Sequence, residues 1–246
     1  MNRGKFTSKQ ISDLENSGID LDTAMACGLE SEMDQNRLFD ILGWKGSTKI
    51  GPSLLFPYYE MGNNRNEPSL IRIKPDAPFT GSGEKMKYLQ PKGASTKIYF
   101  PAIVDQNALM DNKISLFVTE GEKKAIKMVK EGYTCLAAPG VWNFHDPHSS
   151  KEKRRLKSCF DSIPLEDRRV YILFDAHEFL KKQVLTAKIA LAEMLLKAGA
   201  KPYLLHLSDD ERVMRSSQDI GIDDYLCRYG KEDFAAPGLK SQRLAL

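Results

Sequence analysis

Short apolar runs alternate with helical patterns along the second half of the chain. Four runs rich in β-branched and aromatic residues have the length of strands, at 114–119, 134–138, 170–174 and 203–207. The stretches between and after them predict helices, at about 120–130, 151–159, 180–198 and 222–229. Strand–helix repeats of this length indicate a parallel sheet with helices on both faces.

The first half of the chain has shorter elements. Thr7 and Gln10 form the pattern of a helix capping box and open a small helical lead-in. Two runs, at 53–59 and 69–74, predict antiparallel strands joined by a polar turn. In the second run Arg72 alternates with apolar residues, so one face of this strand is expected to meet water.

A basic stretch follows a Pro-, Gly- and Ser-rich loop predicted at 75–85. It contains one aromatic residue, four lysines and no acidic residue: Tyr88, Lys85, Lys87, Lys92 and Lys97. A basic loop with an aromatic side chain suits a nucleic-acid backbone or the phosphates of a nucleotide. The alternative is a solvated turn without a ligand.

Overall charge and cysteine content limit the classes of function. The 246 residues carry 36 basic and 33 acidic side chains, so nucleic-acid affinity must come from local patches. The four cysteines are scattered without a CxxC pair, which argues against a zinc ribbon or a disulfide framework and favours a reducing compartment. No run has membrane-spanning length and no apolar leader is present, so we expect a cytoplasmic protein without a membrane partner.

Acidic residues stand where two of the predicted strands end. Glu120 follows the first strand and precedes Gly121, and Asp175 follows the strand at 170–174. The carboxyl ends of parallel strands meet at one edge of a sheet, so these two acids are expected to converge, with Asp223 and Asp224 near them. Clustered carboxylates suit Mg²⁺ or Mn²⁺, which promote phosphoryl transfer. Each acid alone would also suit the first turn of a helix.

Several motifs resemble those of a known domain. The Val-Thr-Glu-Gly run ending at Gly121 and the Leu-Phe-Asp run ending at Asp175 resemble the two motifs of the Toprim domain. DnaG-type bacterial primases, topoisomerases and OLD-family nucleases share that domain. More closely, Glu-Gly-Glu-Lys-Lys-Ala from Glu120 and Gly-Ile-Asp-Asp-Tyr-Leu from Gly221 resemble the DUF3854 type of plasmid and phage replication proteins. The segment from Lys87 is similar to the Lys-Tyr-Leu segment of the primase amino-terminal subdomain.

The resemblance implies a fold class and a division of the chain. We expect an α/β protein with a Toprim-like parallel sheet flanked by helices, preceded by a small α+β basic subdomain. The expected divisions are a helical lead-in, a basic primase-like subdomain, a Toprim-like domain and a tail, at 1–50, 51–110, 111–232 and 233–246.

One departure from the Toprim pattern concerns the second acidic motif. Toprim domains usually present Asp-x-Asp there, whereas this chain has Asp175, Ala176 and His177. Histidine is a softer ligand that favours manganese, zinc or iron over magnesium. The adjacent Glu178 is a second candidate ligand, and the alternative for His177 is a helix cap or a phosphate contact.

The leading hypothesis is metal-dependent phosphoryl transfer on nucleic acid, by a primase-like nucleotidyltransferase of plasmid or phage replication. Glu120 and Asp175 would be the catalytic pair. The predicted ligands of Mg²⁺ or Mn²⁺ are Glu120, Asp175, His177, Glu178, Asp223 and Asp224. The predicted nucleic-acid contacts are Arg72, Lys74, Lys85, Lys87, Tyr88, Lys92, Lys97, Lys123 and Lys124.

Two alternatives use the same residues. A Toprim nuclease would activate water in place of a 3′-hydroxyl. A catalytically degenerate module would bind single-stranded DNA for a helicase or polymerase. The expected partners are single-stranded DNA and nucleotides, together with a helicase or a replication-initiator protein.

Overall fold

Three short helices and a small sheet form the first part of the computed structural model, which describes residues 6–46, 48–61, 67–81, 84–150, 154–176, 181–235 and 241–243. The helices are α1 (Ser8–Asn16), α2 (Leu21–Ala26) and α3 (Gln35–Leu42). The strands are β1 (Glu30–Glu32), β2 (Ser53–Tyr58) and β3 (Leu70–Pro75), paired antiparallel in the order β1-β2-β3.

Local sequence signals place the first of these elements. The Thr7 hydroxyl accepts a hydrogen bond from the Gln10 backbone N–H at 3.1 Å, and the Gln10 side chain accepts one from the Thr7 N–H at the same distance. This capping box starts α1 where the sequence predicts it. The predicted strand pair is also present, with Tyr58 of β2 opposite Leu70 of β3. Residues 62–66, which lie between the two strands in the sequence and include most of the predicted turn, are outside the described part of the chain.

The segment that connects the two halves contains a hairpin where the sequence analysis expected only a loop. Strands β4 (Phe79–Gly81) and β5 (Glu84–Met86) pair antiparallel. The basic stretch begins in β5 with Lys85, and its Leu89 exchanges two backbone hydrogen bonds of 2.8 Å with Ile73 of β3. A short helix, α4 (Gln106–Met110), precedes the larger sheet.

The second half of the chain forms a five-stranded sheet with helices between its strands. Its elements are β6 (Leu116–Glu120), α5 (Glu122–Lys130), β7 (Cys135–Ala138), β8 (Arg169–Leu173), α6 (Lys182–Lys197), β9 (Lys201–Leu205), α7 (Glu211–Met214), α8 (Ile222–Ala235) and β10 (Ser241–Arg243). The strand order is β10-β9-β8-β6-β7, with β6 to β9 parallel and β10 antiparallel to β9. The predicted fold class, a parallel α/β sheet flanked by helices, is confirmed.

The two faces of this sheet have different neighbours. Helix α6 packs on one face through Leu191 and Leu195, in a core that includes Val118 of β6. Helices α5 and α8 pack on the other face in a core that also contains Leu14 of α1 and Phe56 of β2. The helical lead-in and the small sheet therefore share a continuous core with the parallel sheet. The residue boundaries of the predicted divisions stay a prediction.

This packing corrects the expectation of a wet face on β3. Leu55 and Ile73 face α3 on one side of the small sheet. The opposite side, which carries Arg72, faces the amino-terminal end of α5, where Arg72 pairs with the buried Glu122. The predicted exposed face was wrong because a strand with two packed faces also alternates polar and apolar residues when the polar ones find ionic partners.

Two further predictions are wrong in the described residues. The helix expected at 151–159 is absent from 154–157, where Leu156 bridges His145 and a 3₁₀ turn begins only at Ser158. The backbone groups of Arg155 and Lys157 bond to the chain at 144–146, so they are not available for helical hydrogen bonds. The tail expected to be loose after Phe234 contributes β10 to the sheet. Among the helices described, none is long and apolar enough to cross a bilayer.

Candidate active site

The two predicted catalytic acids lie at the same edge of the parallel sheet. Glu120 is the last residue of β6, and Asp175 lies two residues beyond the end of β8. Strands β6 and β8 are hydrogen-bonded neighbours, with Thr119 opposite Leu173. Gly121, at a φ of 93° that favours glycine, then turns the chain directly into α5. This edge is where open α/β sheets bind their ligands.

A third acid and a lysine reach the same place. A Cβ atom at Gly221 would lie 2.7 Å from Asp223 Oδ1, 3.2 Å from Asp175 Oδ1 and 2.6 Å from Lys124 Cε. A side chain at Gly221 would therefore fill the space into which these three groups project. Asp223 comes from the first turn of α8, Asp175 from the loop after β8 and Lys124 from α5, so three separate segments build this cluster.

Lys124 is the internal counter-ion of the cluster. Its Nζ lies 2.5 Å from Asp175 Oδ1. Burial favours the neutral amine, but the charges of Asp175, Asp223 and Glu120 outweigh burial and raise the pKa of Lys124. The ammonium therefore stays charged among three carboxyl groups. The sequence analysis assigned Lys124 to nucleic-acid binding, whereas here it contacts a carboxylate.

Glu120 binds a proton more readily than an ordinary glutamate. Burial is the largest cause of its raised pKa, the Asp175 carboxylate adds to it, and Lys124 opposes it. A carboxyl group with a pKa raised toward neutrality suits proton transfer, because it can both accept and release a proton.

The two aspartates at the start of α8 have different surroundings. Asp224 Oδ2 accepts a hydrogen bond of 3.1 Å from the Gly221 N–H, which is a helix-capping contact. Asp223 is 6% exposed, and its Oδ1 has no hydrogen-bond partner within the described ranges. A buried carboxylate oxygen without a partner is costly unless it gains one, and a bound cation would supply it.

The residues present fit a hard divalent cation held by few protein ligands. His177 and Glu178 lie outside the described residues, and among those described no group of three or more His, Cys, Asp or Glu side chains is arranged to hold a metal ion. Mg²⁺ usually takes only one or two carboxylates and completes its shell with water and substrate phosphates. Asp175 and Asp223, with the open Oδ1 of Asp223, meet that requirement.

A second buried cluster is centred on Glu122, the first residue of α5, which was not among the predicted site residues. Glu122 Oε1 accepts hydrogen bonds from the Tyr58 hydroxyl at 2.5 Å and from Arg72 Nη1. The Arg72 guanidinium also lies 4.7 Å from the centre of the Tyr88 ring. Arg72 is thus engaged within the protein, as is the Tyr88 ring, which packs against Phe56. The second glutamate of the Glu-Gly-Glu run was the available signal.

Two more of the predicted nucleic-acid contacts bind an acid of α1. Asp13 accepts hydrogen bonds from Lys123 Nζ, at 3.0 Å, and from Lys74 Nζ. Burial alone would raise the pKa of Asp13, but the two lysines outweigh it and lower that pKa. These contacts hold α1 against β3 and α5, so Lys74 and Lys123 join the lead-in to the rest of the fold.

The family of the chain follows from its sequence. The model of a family described as "Domain of unknown function (DUF3854)" matches residues 106–233, from α4 to α8. The chain belongs to the DUF3854 family. No protein with a curated description matches it.

The fold of this DUF3854 chain is similar to that of bacterial primases. A structure of the Aquifex aeolicus primase, with its zinc-binding and RNA polymerase domains, matches 96% of the chain at a TM-score of 0.63 and 14% identity. The chain spans 57% of that structure. The RNA polymerase domain of Mycobacterium tuberculosis DnaG matches 93% of the chain and is itself covered to 75%, at a TM-score of 0.58 and 11% identity. The same domain in complex with double-stranded DNA matches 95% of the chain and is covered to 73%, at 0.58 and 13%.

The remaining predicted contacts of the DUF3854 chain lie on the basic stretch. Lys97 pairs with Glu60 at 2.7 Å. Lys85, Lys87 and Lys92 are exposed, and no ion pair joins them to another residue in the described part of the chain. These three lysines are therefore the members of the predicted set whose charges are available to a ligand.

The Glu122–Arg72 pair gives a prediction about stability. Glu122→Gln leaves the Arg72 guanidinium buried without its counter-ion, so we expect the free energy of unfolding in urea to fall by about 3 kcal/mol. Adding Arg72→Met removes the stranded charge, and the double variant should recover more than half of that loss.

A surface pair serves as the control for this measurement. Glu211 of α7 and Arg215, which follows this helix, lie 2.9 Å apart with side chains 84% and 81% exposed. Glu211→Gln should change the free energy of unfolding by less than about 0.5 kcal/mol. Equal losses from Glu122→Gln and Glu211→Gln would contradict the central role of the buried pair.

The raised pKa of Glu120 gives a prediction about pH. The native state holds the Glu120 proton above the pH at which the unfolded chain releases it, so this group's contribution to stability is lost as pH rises through the native pKa. Glu120→Gln abolishes that loss. We expect the variant to gain stability relative to wild type in urea denaturation as pH rises above the ordinary pKa of a glutamate, about 4. Glu193→Gln on the exposed side of α6 measures the effect of the substitution alone, and a matching pH dependence there would refute the assignment.

Proposed function

We propose that this DUF3854 chain is the catalytic part of a Toprim-type, primase-like nucleotidyltransferase that acts on DNA with a divalent metal ion. The observation that carries the proposal is the meeting of Glu120, Asp175 and Asp223 at the carboxyl edge of the parallel sheet. These three acids meet in a chain whose fold is similar to primase RNA polymerase domains over almost its whole length. We further propose that the setting is plasmid or phage replication, as the motifs of the family suggest.

The carboxylates would have different roles because their surroundings differ. Asp175 and Asp223 would hold the ion, because they project into the space above Gly221 and because Asp223 Oδ1 is buried without a partner. His177, Glu178 and Asp224 remain predicted ligands. A bound Mg²⁺ or Mn²⁺ supplies positive charge that stabilises phosphoryl transfer and orients the substrate phosphates.

Glu120 would accept the proton of the attacking hydroxyl group. In primer synthesis a 3′-hydroxyl attacks the α-phosphorus of a nucleoside triphosphate, a phosphodiester forms and pyrophosphate leaves. The hydroxyl proton must be removed as the new bond forms. Glu120 is the acid whose burial raises its pKa, which suits it to accept that proton.

The basic stretch would bind the phosphate backbone of the template. Lys85, Lys87 and Lys92 are exposed, and none of them forms an ion pair with another described residue. Contacts of this kind hold a nucleic acid without reading its sequence. We propose single-stranded DNA as the template and a helicase or replication-initiator protein as the partner that exposes it.

A second candidate function is a binding module without catalysis. It is favoured by one observation, the ion pair that Lys124 makes with Asp175 inside the carboxylate cluster. Such a module would place single-stranded DNA for a partner enzyme. A nuclease is the third candidate and differs from the primase in using water as the nucleophile.

Primer synthesis can be tested directly. Wild-type protein, single-stranded DNA and labelled ribonucleotides with Mg²⁺ or Mn²⁺ should give extended products. Glu120→Gln and Asp175→Asn should each lower the rate by at least about 100-fold, because each removes a group that acts only at the reacting phosphate. Glu193→Gln, on the exposed side of α6, should leave the rate unchanged.

The products separate the three candidates. Extension of a labelled strand supports the primase, and shortening supports the nuclease. Salt-sensitive DNA binding without calorimetric metal binding or products supports the binding module. Unchanged incorporation by Glu120→Gln would refute the catalytic role of that residue.

The basic stretch gives an independent prediction. Changing Lys85, Lys87 and Lys92 together to Gln should weaken binding to single-stranded DNA at low salt. It should also lower the slope of log K against log salt concentration by about 2, since each lysine on a phosphate releases about 0.7 of a counter-ion.

A matched control removes three charges from the amino edge of the parallel sheet, which is opposite the edge with the carboxylates. Lys113, Arg169 and Lys197 are exposed and lie near the amino ends of β6, β8 and β9. Their triple Gln variant should keep the wild-type salt slope. Fluorescence anisotropy at several salt concentrations measures both variants, and an equal loss of slope in both would show that the basic stretch has no special role.

A further inference from the structure

Lys124 is placed differently from the other lysines of its helix. Lys123 binds Asp13, Lys127 binds Glu131 and Lys130 binds Asp20, all away from the end of β6. Lys124 alone in α5 reaches the carboxylates at the sheet edge, where its Nζ contacts Asp175. A helix with four lysines thus directs a single one into the candidate site.

The position of Lys124 conflicts with a metal ion on the same carboxylates. Lys124 Cε and the Oδ1 atoms of Asp175 and Asp223 all lie within 3.2 Å of the place where a Cβ of Gly221 would stand. A magnesium ion needs its oxygens at about 2.0–2.1 Å, so it would enter the space that the ammonium group now shares with them. Two cations at one carboxylate oxygen repel each other strongly in a partly buried setting.

The excess negative charge of the cluster favours the binding of a divalent cation. Glu120, Asp175 and Asp223 bring three carboxyl groups to one lysine. Lys181, the next cation, pairs with Asp219 at 2.8 Å. Lys124 therefore compensates the acids only in part, and it leaves Asp223 Oδ1 without a hydrogen-bond partner among the residues described.

We propose that Lys124 is a tethered counter-cation, which a divalent metal ion must displace from Asp175 in order to bind Asp175 and Asp223, and which thereby sets the metal affinity of the site. The lysine side chain can move aside because its four-carbon stem is flexible. Once displaced, its ammonium group remains at the sheet edge, where it can bind a phosphate of the substrate. The inference rests on the proposed function only in assigning a divalent ion to these carboxylates.

Metal titration tests the proposal without any assay of catalysis. Isothermal calorimetry of the full chain with Mn²⁺ should show Lys124→Met binding at least about tenfold more tightly than wild type, because the competing charge is gone. Lys124→Arg keeps the charge and should stay within about threefold of wild type. Lys130→Met, at the far end of α5, makes the same substitution outside the site and should not change the affinity.

Thermal unfolding provides a second measurement on the same proteins. In EDTA, Lys124→Met should melt at a lower temperature than wild type, because its three carboxyl groups face one another without a counter-ion. The rise in Tm on adding Mn²⁺ should be larger for this variant than for wild type, since tighter binding to the native state stabilises it more.

The wild-type protein tests the displacement even if Lys124→Met does not fold. With ¹³C-labelled lysine, the Cε resonance of Lys124 is assigned from its absence in Lys124→Arg. Titration with Mg²⁺ should shift this resonance, while that of Lys130 stays in place. An unmoved Lys124 resonance at saturating Mg²⁺ would overturn the proposal.

Each calorimetric outcome decides the matter. Tighter binding by Lys124→Met, or binding by this variant alone, supports displacement. Equal or weaker binding overturns it, as does the absence of Mn²⁺ binding in both proteins. The proposed function can fail separately. If Lys124→Met strengthens metal binding but the wild-type protein synthesises no primer, the role of Lys124 as a tethered cation is supported and the primase function is refuted.

Discussion

The buried pair between Glu122 and Arg72 is the interaction on which the arrangement of the site depends. Glu122 is the first residue of α5, and Gly121 alone separates it from Glu120. Arg72 belongs to the small sheet, and Tyr58 of the neighbouring strand joins the pair. A buried carboxylate tolerates little displacement from its donors. The turn that carries Glu120 is therefore anchored to the small sheet through the first residue of α5.

This coupling explains why the first half of the chain belongs to the site although it contributes none of the clustered acids. Helices α1 and α2 and the small sheet share a core with α5 and α8. Asp13 adds a polar link, because it binds lysines from both β3 and α5. The two sheets are thus joined by apolar packing and by buried charge at the start of α5, the helix that also carries Lys124.

The sequence predicted the parallel sheet and the meeting of its acidic strand ends because both depend on local patterns. An apolar run that stops at Glu120 or at Asp175 marks the carboxyl end of a strand, and parallel topology then brings such ends together. The partners of Arg72 and Lys124 were beyond this reasoning. Their contacts join residues about 50 positions apart, and which acid a flexible basic side chain selects is decided by packing. The helix expected at 151–159 failed for a different reason, since the backbone groups of Arg155 and Lys157 bond to the nearby chain at 144–146 and not within a helix.

The fixing of the basic stretch at three points has a consequence for the energetics of recognition. Leu89 is bonded to β3, the Lys92 N–H donates to the Leu42 carbonyl at 3.0 Å, and Tyr99 exchanges hydrogen bonds with Ala137 of β7. Lys92 is one of these points, Lys87 lies two residues before Leu89, and Lys85 pairs with Thr80 inside the β4–β5 hairpin. The three lysines are thus carried by a strap, the segment from 85 to 99, whose backbone is already ordered. A ligand that binds there need not meet the entropic cost of ordering a free loop, a cost that weakens many flexible binding segments. The strap also joins the surface that would bind a nucleic acid to both sheets. The distance between the lysines that would contact the phosphate backbone and the carboxylates at the sheet edge is therefore set by the fold before any ligand binds.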